Sequence, residues 1–158
     1  MEKLNQWMTL IANVGVVAGI VFLAFEISQN TEQMMSTSIQ NLSERMENRN
    51  ILLATNNQLS EVIRKLYFDE ASLTDTEQGQ VFWWVASWTT DFEEAYRQFG
   101  LGALPEGALY SRIRNMQGLM ETNAGKAAWA QLAPVADPSF VEWAEPQLDL
   151  KSQEGPSQ

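Results

Sequence analysis

The chain has 158 residues, 10 Lys+Arg against 20 Asp+Glu, a formal net charge of −10, and neither Cys nor His. Without Cys there is no disulfide frame, thiol nucleophile or Fe–S cluster; without His there is no Ser-His-Asp triad, usual zinc site or imidazole acid–base pair. The acidic excess argues against nucleic acid as a partner, since that affinity rests on Lys and Arg neutralising phosphates, and the length suits one small domain with an appendage.

From Met8 to Phe25 the chain carries no charge, and only Thr9 and Asn13 are clearly polar. As a helix this run covers about 27 Å, close to the thickness of a hydrocarbon core. Trp7 suits the interface at its start. The run passes into Phe25-Glu26-Ile27 without a small-x-small exit, which disfavours a cleaved signal peptide. It has no polar face, which disfavours a helix lying on the membrane. A buried helix of a soluble domain is the remaining alternative, unusual for so long an uncharged run in so small a domain. The expectation is a transmembrane helix in contact with the lipid bilayer. Lys3 and the amino group flank it on one side, and no Lys or Arg follows until Arg45. That imbalance favours the N-terminus inside and the soluble part outside. Gly15 and Gly19 make a small-xxx-small face, with Ala12 a turn earlier and Asn13 able to bond across it. The plain alternative is that Gly and Ala are common in any membrane helix.

Ser28 to Gln33 is polar but lacks Pro and Gly, so the helix is expected to continue out of the membrane. Met35, Ile39, Leu42, Met46, Arg49 and Leu53 then alternate steps of four and three, a heptad-like seam with Arg49 as its misfit. The seam suits either an oligomer stripe or, more simply, cover for neighbouring helices of the same domain. Asn56-Asn57 marks a kink or break, and Leu59, Val62, Ile63 and Leu66 resume an apolar face. After a loop from Asp69, Thr74 and Glu77 form a capping box for a helix reaching about Phe99 and stopping at Gly100-Leu-Gly102. One broad face of that helix carries Val81, Trp84, Val85, Trp88, Phe92, Ala95 and Phe99, which reads as core or as the lining of an apolar pocket. Trp83 falls off that face and is the candidate exposed anchor to lipid or a partner.

A further helix starts near Pro105 and runs through Leu109, Ile113, Met116 and Met120. Its Arg112 and Arg114 are candidates for an acidic partner or lipid headgroup, against the plainer reading of pairing within the chain. Thr122-Asn123 caps a short helix ending before Pro134, and Asp137-Pro138 caps another ended by Pro146. No alternating strand pattern occurs, so the class is all-α: an N-terminal transmembrane helix, 1–30, continuing into a small helical-bundle domain, 31–146, with a mobile tail, 147–158.

The string Leu23-Ala-Phe-Glu-Ile-Ser-Gln-Asn-Thr31 resembles a widespread family of uncharacterised bacterial proteins with one N-terminal membrane helix, a Gln-Asn-Thr run and a small helical domain. The similarity extends to Phe92–Gly102, to Asn123-Ala-Gly-Lys-Ala-Ala-Trp129 and to Asp137-Pro-Ser-Phe-Val-Glu-Trp143. Members often carry Arg before Gln-Asn-Thr, where this chain has Ser28, which removes a charge bearing on orientation. The resemblance implies this architecture in a bacterial inner membrane, and no activity, cofactor or catalytic residue.

Chemistry would have to come from carboxylates, hydroxyls or lysine. Asp91, Glu93 and Glu94 point in different helical directions, and the expectation for them is a solvated acidic face. No calcium loop, phosphate loop or dinucleotide glycine motif occurs, and no nucleophile–base–orienter set can be assembled. The expectation is a non-enzyme without cofactor or metal, partnered with itself or another membrane protein. A membrane-anchored sensory or ligand-binding module is the alternative.

Overall fold

The computed structural model describes residues 2–148, and among these there are six α-helices and no strand. Helix α1 spans Glu2–Thr55 without interruption, about 81 Å at the α-helical rise. Its most apolar stretch has a mean hydropathy of 2.3 and none of it is covered by the rest of the chain. No residue of α1 before Ser38 is buried. The helix ends at Asn56, whose side chain accepts a hydrogen bond from Leu59 N and so caps α2, Asn57–Phe68. The Ser60 hydroxyl donates to Leu53 O across the break. The Asn pair is therefore a true helix boundary.

A single 3₁₀ turn, Glu70–Ser72, leads into α3, Asp75–Gly100. The capping box is present as the sequence requires: Thr74 Oγ1 accepts from Glu77 N, and Glu77 accepts from Thr74 N at 2.8 Å. The far end closes in a Schellman motif, with Ala103 N bonded to Gln98 O and Gly102 N to Phe99 O, each at 2.9 Å. Gly102 takes φ +70° there, a conformation an L side chain resists. Arg45 and Arg49 reach Asp91, and Arg49 reaches Ser87 O. Position rises along α1 as it falls along α3, so the two helices run antiparallel. The α3–α4 loop thus lies toward the apolar end of α1.

Helix α4, Glu106–Met120, returns along α3. Helix α5, Asn123–Leu132, is capped by Thr122 Oγ1, which accepts from Gly125 N at 3.0 Å. The carboxylate of Glu70 accepts from Asn123 N and Ala124 N and closes the remaining amides at that end. Helix α6, Pro138–Leu148, completes the bundle. At its start Asp137 accepts from the Ser139 hydroxyl at 2.6 Å and from Ser139 N at 2.8 Å, which holds the Asp137 carboxyl below its ordinary range.

The core draws Leu42 from α1, Val62 and Leu66 from α2, Phe92 from α3, Met116 and Leu119 from α4, and Phe140 from α6. Phe140 sits at its centre, edge-on to Phe92 at 5.1 Å and near Trp129 at 6.1 Å. Of the expected α3 face, Val81, Trp84, Val85, Phe92 and Ala95 are buried and Trp88 is half-buried, whereas Phe99 is exposed. Pro146 does not end α6, which continues to Leu148 with Gln147 O accepting from Gln117 Nε2 at 2.8 Å. The tail expected to be mobile lies, from residue 149 on, outside the described residues.

Candidate functional site

The apolar stripe of α1 meets the aromatic face of α3 at a cluster of charges. Asp91 is buried, and its carboxylate accepts hydrogen bonds from Arg49 and, at 3.2 Å, from Arg45. The same Arg49 guanidinium donates to Ser87 O at 3.2 Å and lies 4.2 Å from the centroid of the Trp88 ring, a cation–π contact. Arg112 of α4 is also buried. Burial pushes its pKa below the usual arginine value, while the nearby Asp91 opposes that shift and Arg49 adds to it. Two guanidiniums therefore bond one carboxylate, and the buried Arg112 lies within electrostatic reach of it.

This arrangement corrects two expectations. Asp91 does not belong to a solvated acidic face with Glu93 and Glu94; it is the buried counterion of α1. Arg112 is not at the surface for a partner or headgroup to meet, whereas Arg114 is exposed. Glu93 and Glu94 are half-buried, Glu94 holding Arg97 at 2.9 Å and Glu93 accepting from Asp137 N at 3.3 Å. The Arg49–Asp91 pair had a signal in the sequence. Arg49 breaks an apolar seam, and Asp91 lies one turn from both Trp88 and Ala95 on an apolar face. Two opposite misfits on two buried stripes are partners.

Beside the cluster, a groove of about 350 Å³ opens between the end of α1, the start of α2 and α3. Its walls are Leu52, Leu59, Trp83 and Trp84, with Arg49 and Ser87 toward one end and Gln80 toward the other. Trp83 is 72 % exposed, as its position off the core face requires, and Trp84 is 8 % exposed with its ring 6.2 Å from that of Trp88. Two polar atoms of these walls, Arg49 Nη1 and Gln80 Oε1, are buried and have no hydrogen-bond partner.

The other sequence candidates are divided by the fold. Leu42 is 2 % exposed inside the chain's own core, and Leu53 packs against that core, so neither is presented to a second molecule. Met35 and Met46 are half-buried, and Ile39 is exposed. The seam thus covers this domain first. Ala12 and Asn13 are exposed, and a Cβ built on Gly15 or Gly19 meets nothing within 4 Å. No group of three or more Asp or Glu side chains able to hold a metal ion gathers among the described residues.

Comparison with protein-family models, with curated proteins and with solved structures finds no match.

Proposed function

We propose that this chain is a non-enzymatic, single-span protein of a bacterial inner membrane, acting in assembly as a homo-oligomer or as an accessory subunit of a larger membrane complex. The observation that carries the reading is the uncovered apolar stretch of α1, long and apolar enough to cross a membrane, with no buried residue before Ser38. A helix so placed leaves its Gly15/Gly19 face open for another helix backbone to approach closely. The interior of the domain is taken up by core packing and the ion cluster at Asp91. The soluble part is assigned to the periplasmic side on the strength of Lys3.

The test is the size of the detergent-solubilised protein. An oligomer reduced to a monomer by Gly15→Leu or Gly19→Leu supports self-assembly through this face, and a monomeric wild type unchanged by either substitution removes it. Purification from native membranes then decides the accessory-subunit version through a partner of fixed stoichiometry, and a C-terminal reporter fusion decides orientation. The groove beside Arg49 favours a second reading, a membrane-anchored ligand-binding or sensory module.

A further inference from the structure

Resting on the transmembrane reading of α1, we propose that the α3–α4 loop, residues 101–105, is a lipid-contacting wedge that seats the domain on the bilayer surface through Leu101. Leu101 is 72 % exposed at the tip, between Gly100 and Gly102, whereas Ala103 and Leu104 behind it are buried and anchor the loop. The amides of the tip are already paired: Leu101 N donates to Arg97 O at 3.1 Å, and Gly102 N to Phe99 O and Ala103 N to Gln98 O at 2.9 Å each. Donors paired within the chain cost little to withdraw from water, which is the condition for placing a loop against lipid. From Gln98 to Pro105 the chain carries no charge, and the exposed Phe99 adds apolar surface beside Leu101. The charges flanking this run are Arg97, which donates to Glu94 at 2.9 Å, and Glu106.

Position selects the partner. Arg45 and Arg49 bond Asp91, so α3 passes α1 antiparallel at that level, and Leu101 lies about 15 Å further toward the apolar stretch. Exposure along α1 records the same reach: Thr31, Met35, Ser38 and Leu42, on one helical face, are withdrawn from solvent, and every described residue before Thr31 is exposed. The tip is thus roughly level with Ser38, about 16 Å past Ile27 along the helix. Membrane helices lean by about 20° on average, and a lean toward α3, packed about 8–10 Å away, lowers the tip to about 12 Å. A headgroup layer about 5–8 Å deep takes up roughly half of that height, and the leucine side chain spans most of the remainder. An apolar side chain standing alone at this end of the domain therefore meets lipid headgroups first.

The chain has no Cys, so one introduced thiol can carry a fluorophore in the full chain, reconstituted in phosphatidylcholine nanodiscs with spin-labelled lipid as quencher. Gly100→Cys places the probe beside an intact Leu101, at a position where a Cβ meets nothing within 4 Å. Val17→Cys reports the middle of the apolar stretch. Phe68→Cys, at an 82 % exposed site near where Lys65 meets Glu77 at the start of α3, reports the opposite end of the domain. With helical circular dichroism unchanged in each variant, headgroup-labelled lipid should quench the Gly100→Cys probe well above the Phe68→Cys level, and adding Leu101→Asp should abolish that excess. Mid-chain-labelled lipid should quench Val17→Cys most. A quenched Val17→Cys probe with Gly100→Cys no different from Phe68→Cys overturns the wedge and leaves the transmembrane reading standing. Quenching that survives Leu101→Asp overturns the role of Leu101. A Gly100→Cys probe screened from water yet untouched by either labelled lipid puts a second copy or another protein there and also overturns the proposal. A Val17→Cys probe that lipid does not quench removes the transmembrane reading, and the wedge with it.

Discussion

Asp91, in the middle of α3, accepts a hydrogen bond from Arg49, 42 positions earlier on α1, and this contact clamps the emerging helix to the domain. Both side chains are largely withdrawn from water, at 6 % and 12 % exposure. A buried charge pair adds little compared with good apolar packing, yet breaking one half of it leaves the other uncompensated. Asp91 therefore fixes where α1 docks.

Replacing Asp91 by Ala is expected to destabilise the domain by about 3 kcal/mol or more, since Arg49 and the buried Arg112 lose the carboxylate that offsets their charge. Arg45, half-exposed, is the internal control, and Arg45→Ala should cost less than about 1 kcal/mol. Denaturant unfolding of the two variants checks the contrast, and equal losses would remove the special role of Arg49.

Gly125 admits no side chain. A Cβ there would stand 2.0 Å from Leu119 O and 2.7 Å from the Thr122 hydroxyl that caps α5. Gly125→Ala should cost about 1–3 kcal/mol through displaced backbone. By contrast Gly107→Ala, with nothing within 4 Å in α4, should be neutral or stabilising by about 0.5–1 kcal/mol. Thermal unfolding reads both.

The carboxyl of Glu77 is held down to about 2, first by its hydrogen bond from Lys65 and then by those from Thr74 N and Oγ1. A depressed acid stabilises the folded state above its ordinary value of 4.5, and that stabilisation is lost as pH falls from there toward 2. Wild type and Glu77→Gln should therefore differ in urea midpoint at neutral pH and converge across this acid range. A constant gap would show that the effect is not the charge.

Phe140 of α6 is the aromatic hub, fully buried against rings from α3 and α5. Phe140→Ala should destabilise by about 3–5 kcal/mol, the sum of lost transfer energy and the cavity left behind. Near-ultraviolet circular dichroism should lose the signal of Trp129 and Trp143 in the same variant, while α1 keeps its helical signal.

Local structure was legible because its causes are local. Thr74 with Glu77, Thr122, Asn56 and Gly102 each sit within a few residues of the amides and carbonyls they satisfy. The capping box, the helix boundaries and the stop of α3 follow from those neighbours alone. Pro146 misled for the same kind of reason. A proline costs a helix one hydrogen bond, but in a last turn held from outside by Gln117 that loss is tolerated. The candidate site is half legible: helical period separates Trp83 from the core face, whereas the sequence puts Asp91 on an acidic face and leaves Arg112 open between a partner and pairing within the chain.

By itself the sequence determined an all-helical chain, an N-terminal segment apolar enough for a membrane, and helix ends written in hydroxyls, carboxylates and glycine. These depend on period, propensity and hydropathy, which are properties of neighbouring residues. Only the tertiary structure decided that the seam of α1 covers its own domain, that Arg49 meets Asp91, and that Trp83 walls a groove ending at an unpartnered guanidinium nitrogen. Whether a charge is solvated or buried depends on which helix lies across from it, and that is settled by packing between segments some forty positions apart.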